Sequence, residues 1–283
     1  MGAFRTVGVM GAAAAATALL QCVPMPAAHA APCSDAEVVF ARGTTELPGL
    51  GPTGDAFVNS LQSQLGGKSV GVYPVNYPAT TDFRTAVDGI SDARAHILAT
   101  AAACPETKMV LGGFSQGAAV MGFVTANVVP DGVSALTVPA PMPLELADHV
   151  AAVALFGKPS ARFMRAINDP QIVIGPGYVD KTIELCVDDD LVCDPDGRSF
   201  GVHSRYPEVG MADQGATLVA QKLQAIWAAD DSIEPPASAM LSVPIAGDAP
   251  PAHTGVSMAR PSGPLPGPAL VAPASPGQEQ TAP

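Results

Sequence analysis

A chain of 283 residues with 48% hydrophobic and only 14% charged side chains can bury a sizeable core, in one large domain or two small ones. Its formal net charge of −12 argues against nucleic acid as a partner, because phosphate backbones call for a basic surface.

The N-terminus reads as a targeting segment. Arg5 supplies a positive start, and the apolar, alanine-rich run from Val7 to Leu20 is short for a membrane span. Ala28-His29-Ala30 fits a small-x-small cleavage site, so residues 1–30 are expected to be a signal peptide that takes Cys22 with it. Cys33, Cys104, Cys186 and Cys193 remain. An even count in an exported chain reads as two disulfides. Cys186 and Cys193 are close enough in sequence to pair, which leaves Cys33 with Cys104. Their wide, irregular spacing argues against metal ligation.

Glu37 to Ala41 is an apolar strand, and Arg42-Gly43-Thr44-Thr45-Glu46 leaves its end. Gly49-Leu50-Gly51-Pro52-Thr53-Gly54 formally matches a dinucleotide fingerprint, ahead of a helix from Asp55 to Leu65. That fingerprint also wants an acid at the end of the next strand. The next strand, Val70 to Val75, ends in Asn76-Tyr77-Pro78, so the stretch reads as a glycine-rich loop and no nucleotide is expected. Asp82 can cap a helix from Phe83 to about Ala103, with Phe83, Val87, Ile90, Ile97 and Leu98 mostly on one face.

The next stretch organises the chain. Met109 to Leu111 reads as a buried strand, Gly113-Phe114-Ser115-Gln116-Gly117 is a G-x-S-x-G pattern, and Ala118 to Asn127 reads as a small-residue helix. Strand, sharp turn and helix are the context in which such a serine is raised above a sheet. The Gln116 N–H, free at the helix start, is the natural first donor to an oxyanion.

Val150 to Phe156 is a further buried strand, and Ser160 to Tyr178 reads as irregular. Lys181 to Leu185 is a last strand and Met211 to Ala229 a last helix. Alternating strands and helices predict an α/β fold with a mostly parallel sheet covered on both faces. From Asp230 to Pro283 the character changes: 12 of the 29 prolines lie there, without periodicity. Such a segment reads as a disordered tail. The expected organisation is therefore 1–30 signal peptide, 31–229 catalytic domain and 230–283 tail.

A nucleophilic serine needs a base and an acid. Three aspartates, Asp188, Asp189 and Asp190, cluster between Cys186 and Cys193, and periodicity does not choose among them. The histidines after Ser115 are His149, His203 and His253. His203 lies in the loop between the last strand and last helix, giving the chain order serine, aspartate, histidine of an α/β-hydrolase. The acidic run does not match the ligand spacing of an EF-hand loop, and no metal is expected.

Three segments together resemble the cutinase family, most of all the cutinase-like esterases secreted by mycobacteria and related actinobacteria. They are Phe40-Ala41-Arg42-Gly43-Thr44-Thr45-Glu46, Gly113-Phe114-Ser115-Gln116-Gly117 and Cys186-Val187-Asp188-Asp189-Asp190-Leu191-Val192-Cys193, within a likeness that spans about Pro32 to Leu223. The resemblance implies the three-layer α/β-hydrolase fold and a secreted serine esterase without cofactor. It implies Asp190 as the acid, three residues before the second cysteine of the small ring, and His203, ten residues after it, as the base. It pairs the Gln116 N–H with the N–H and hydroxyl of Thr44 as the oxyanion hole. Threonine stands where serine is frequent, and Phe114 replaces a more usual tyrosine. A mature domain of about 200 residues leaves little chain for a large lid, so an open cleft taking carboxylic esters of short to medium acyl chains, or lipids, is expected. Cutin-like polyesters are what the resemblance alone adds. A secreted or wall-associated monomer is expected. The rival expectations on the same fold are a catalytically weak cell-envelope binding protein and an acyltransferase.

Overall fold

The computed structural model of the protein describes residues 33–233 and Gly2. Apart from Gly2, the segment expected to be a signal peptide lies outside the described residues, as does the expected tail from residue 234 onward.

Five strands form one parallel sheet in the order β2-β1-β3-β4-β5: β1 (Ala36–Ala41), β2 (Val70–Pro74), β3 (Lys108–Phe114), β4 (Val150–Phe156) and β5 (Thr182–Leu185). The three central strands are apolar almost throughout, as a sheet packed on both faces requires. The half-exposed β2 lies at one edge and ends in Pro74, whose missing N–H costs least there.

Helices α2 (Ala86–Ala103) and α3 (Gln116–Val124) cover one face, with Val39, Ile97, Leu111, Met121 and Val153 in the core between. Helices α1 (Gly51–Gln64) and α5 (Met211–Ile233) cover the other and pack on each other. There Phe57 stands edge-on to Phe156, ring centroids 5.3 Å apart, with Phe40 beside both.

Strand order reverses between β1 and β3, because the chain leaves β1 for β2 on one side and returns to β3 on the other. In open α/β sheets a crevice forms at such a point, at the carboxyl ends of the strands. Arg42 to Glu46 leave β1 there, and Ser115 leaves β3 there.

Several boundaries differ from the sequence reading. Helix α1 starts four residues early, at Gly51, because Pro52 sits in its first turn, where its missing N–H would be unpaired anyway. Asp82 caps a short 3₁₀ turn, Phe83–Thr85, that leads into α2. The stretch read as irregular contains a short helix, α4 (Ala161–Ala166), capped by the Ser160 hydroxyl, which accepts from the Phe163 N–H. Helix α5 runs to Ile233, four residues beyond the expected end.

Both disulfides join the expected cysteines, Cys33 with Cys104 and Cys186 with Cys193. The first ties the entry to β1 to the end of α2 across a separation of 71 residues. Replacing both of its cysteines by serine should lower unfolding stability by about 4 kcal/mol through released chain entropy. Denaturant titration checks this, and a loss below about 1 kcal/mol would show that the bridge hardly restricts the unfolded chain.

Candidate active site

Ser115 sits between β3 and α3 with φ 55° and ψ −115°, a conformation that a side chain rarely adopts. The surroundings impose it. Its N–H donates to the Phe156 carbonyl at 2.9 Å, which pins the bend to β4. A Cβ on Gly117 would run into the Ala41 carbonyl, and one on Gly113 into the Gly117 carbonyl. Only glycines let β1, β3 and α3 meet this closely.

Ser115 Oγ lies 2.8 Å from His203 Nε2, and His203 Nδ1 lies 2.7 Å from Asp190 Oδ2. The carboxylate can only accept, so Nδ1 carries the proton and Nε2 is free to accept from the serine hydroxyl. Ser115 is 8% exposed and Asp190 fully buried. The other two aspartates of the run, Asp188 and Asp189, are exposed, and neither shares a hydrogen bond with His203.

A buried carboxylate needs several donors. The Val192 N–H donates to Asp190 Oδ1 at 2.9 Å, and the Tyr206 hydroxyl to Oδ2 at 2.8 Å. The loop that carries Asp190 is closed by the Cys186–Cys193 bridge and by a backbone bond from Leu191 N–H to the Ser199 carbonyl. Burial pushes the Asp190 carboxyl up, but bonds from His203, Val192 and Tyr206, with the imidazole charge, together hold it below the usual carboxylate range. Burial and the neighbouring carboxylate push the Tyr206 hydroxyl well above its ordinary value, so it stays a donor.

The imidazole is also held by shape. Phe114 stacks on it with centroids 5.0 Å apart and planes 27° from parallel. Gly157, at φ 58°, lies so close that a Cβ there would sit 2.9 Å from both His203 Cε1 and the Tyr206 hydroxyl. Phe114, Gly157 and Tyr206 were not picked out by sequence reasoning as parts of the site. Phe114 stood inside the motif, but only as a replacement for a more usual tyrosine. The other two lie in loops with no periodic signal.

Across the crevice, the N–H groups of Thr44 and Gln116 have no acceptor among the described residues. The Thr44 loop is braced on every side. Arg42 Nε donates to the Glu46 carbonyl at 2.9 Å, Thr45 N–H to the Ala79 carbonyl at 2.6 Å and Gly43 N–H to the Glu46 carboxylate at 2.6 Å. Burial raises the Glu46 carboxyl above its usual value, against the bond from Gly43 and the charges of Arg42 and His203. The Gln116 side chain donates to the Thr80 carbonyl at 2.8 Å, tying the start of α3 to the loop after β2.

One group of metal-type side chains occurs among the described residues, Cys186, Asp190 and Cys193. Both sulfurs are spent in a disulfide, so it has no thiolate to offer a metal. What the arrangement can do is move a proton from a hydroxyl to an imidazole steadied by a carboxylate, beside two N–H groups able to meet a developing negative oxygen.

The sequence model of the Cutinase family matches residues 32–223. The chain belongs to the cutinase family. It is 57% identical over 167 residues to probable carboxylesterase Culp5 of Mycobacterium tuberculosis, an alignment covering 59% of this chain and 95% of that one. It is 47% identical over 223 residues to phospholipase Culp4 of the same organism, covering 78% and 94%. Among solved structures, Trichoderma reesei cutinase in complex with a phosphonate inhibitor superposes with a TM-score of 0.53 at 30% identity, covering 68% of this chain and 78% of that one. This cutinase-family chain is a carboxylic ester hydrolase.

Tyr206→Phe tests the least expected contact to the carboxylate. A depressed carboxyl stabilises the fold above the ordinary carboxylate pKa and loses that contribution as pH falls through the folded value. With one donor gone, the folded pKa of Asp190 rises. The acid-side fall in melting temperature should therefore be smaller and end at higher pH, with about 1–3 kcal/mol lost at neutral pH. An unmoved acid profile would show that this hydroxyl does not hold the carboxylate.

Proposed function

We propose that this chain hydrolyses carboxylic esters through an acyl intermediate on Ser115, with His203 as general base and acid and Asp190 as its orienting carboxylate. The observation that carries the reading is the unbroken line from Ser115 Oγ to His203 at 2.8 Å and from His203 to Asp190 at 2.7 Å.

Ser115 Oγ attacks the ester carbonyl carbon as His203 Nε2 takes the hydroxyl proton. The carbonyl oxygen becomes an oxyanion and receives the N–H groups of Thr44 and Gln116, with the Thr44 hydroxyl as a further donor. Collapse breaks the bond to the alcohol oxygen, which leaves with the proton from His203. Water then attacks the acyl carbon, giving its proton to His203, and the carboxylic acid departs as Ser115 regains its hydrogen. Asp190 stays ionised throughout and stabilises the imidazolium.

Several features support a secreted enzyme acting on uncharged or lipid-like esters. The two disulfides suit an oxidising compartment. The exposed Leu47 and Phe200 lie close in sequence to Thr44 and His203, two apolar side chains on the segments that border the cleft. The relatives include a carboxylesterase and a phospholipase by name, so acyl esters of lipids are within the proposed range.

Ser115→Ala should lower kcat/KM for p-nitrophenyl butyrate by at least about 10⁴-fold while the melting temperature stays near that of the parent. A variant that kept a tenth of the activity would reject the acyl-serine route.

A further inference from the structure

A cavity of about 460 Å³ lies on the α2–α3 face of the sheet. Ser115, His203, Thr44 and Gln116 do not line it, so it is distinct from the site already described. It starts close by, however. Ala119 lines it and stands one turn along α3 from Ser115, about 6 Å of helix rise, its N–H donating to the Ser115 carbonyl. Val87 and Ile90 of α2 form a wall, and the irregular segment 126–143 closes over it with Val133 and Val138. Arg94, also at the wall, pins that segment through Nη1, which donates to the Ala140 carbonyl at 2.7 Å.

The rim holds Phe83, whose ring centroid is 6.5 Å from that of Phe163. Phe163 is in turn 6.4 Å from Phe200. Phe200 is 62% exposed, and its carbonyl accepts from the His203 N–H. An apolar track therefore leads from the loop that carries the imidazole to the cavity mouth. The volume is that of a small-molecule pocket. The lining is mainly apolar, with Arg84, Asp88 and Asp169 among it beside Arg94. Its apolar stretches offer a polar ligand few partners, whereas a chain of methylenes needs none. A flexible linear occupant anchored at the ester carbonyl can lie along the three rings and end inside.

We propose that the cavity receives the distal part of the substrate's acyl chain and so gives the enzyme a preference for long-chain esters. The proposal rests on the acyl-Ser115 reading and extends it: the open cleft at Ser115 takes the carbonyl end, and the covered space beyond Phe83 takes the methylenes that a short acyl group lacks. Each methylene that passes into the cavity is worth about fourfold in kcat/KM, from the transfer free energy of a CH₂ group.

The test compares kcat/KM for p-nitrophenyl dodecanoate and p-nitrophenyl butyrate in the parent protein, Val87→Trp and Val133→Trp. Either indole fills the space, one from the helix wall and one from the half-exposed roof, so a folding defect in the first variant leaves the second to decide. The dodecanoate-to-butyrate ratio should fall at least about tenfold in both. An unchanged ratio in variants of parental melting temperature overturns the proposal. A parallel measurement follows fluorescence of cis-parinaric acid with Ser115→Ala protein, which does not turn esters over under the proposed mechanism. Saturable binding that weakens at least about tenfold on adding Val87→Trp supports the cavity site, and binding indifferent to it contradicts the site. Dead Ser115→Ala protein with an unmoved ratio removes the cavity alone. Turnover retained by Ser115→Ala removes the acyl-serine reading and this proposal with it, even where the fatty acid still binds.

Discussion

A carboxylate shut away from water is the constraint from which the site follows. Asp190 has no exposed surface, and a buried charge that lost its donors would cost several kcal/mol. Its three donors come from three parts of the chain: the Val192 N–H inside the small cystine ring, the Tyr206 hydroxyl ahead of α5 and His203 Nδ1 from the loop between. To satisfy the charge, the loop from Cys186 to Tyr206 must close in one way. That closure leaves Nε2 of the imidazole facing Ser115.

The other side of the meeting is set by close packing at the switch point of the sheet. Two glycines bring β1, β3 and α3 together, and Ser115 takes up the strain at φ 55°. Its N–H is bonded to β4, so the serine cannot relax by sliding along the sheet. The same approach of β1 to α3 puts the Thr44 loop beside the first free N–H of the helix. Hydroxyl, imidazole and N–H donors are therefore held by backbone and core rather than by flexible side chains, and such preorganisation is the main lever on an acyl-transfer barrier. The Arg42–Glu46 bracing keeps the Thr44 side of this pair from drifting.

The sequence carried the parts with local signals. An apolar run, a G-x-S-x-G turn and a small-residue helix located Ser115, and alternation of strand and helix gave the parallel sheet. The two disulfides followed from count and spacing. Local pattern could not choose among Asp188, Asp189 and Asp190. Resemblance to cutinases favoured the third, and burial separates them, because only Asp190 faces inward from its tight loop. Gly157 and Tyr206 were illegible for a different reason. Gly157 is set by contact with side chains 46 and 49 positions later, and Tyr206 by a bond to a carboxylate in another turn. The helix α4 was missed because a six-residue helix shows less than two turns of periodicity, although the Ser160 hydroxyl that starts it is an ordinary cap.

Control of the serine by a residue that never touches it is the central claim, and the rate of covalent trapping reads it most directly. A fluorophosphonate would be reacted with the parent protein and with Asp190→Asn, and the adduct mapped by peptide mass spectrometry. The expected result is an adduct on Ser115 in both, formed at least about 10³-fold more slowly in the variant, whose amide cannot hold the imidazole in its working tautomer. Modification of another residue, or an equal rate in a folded Asp190→Asn protein, would contradict it.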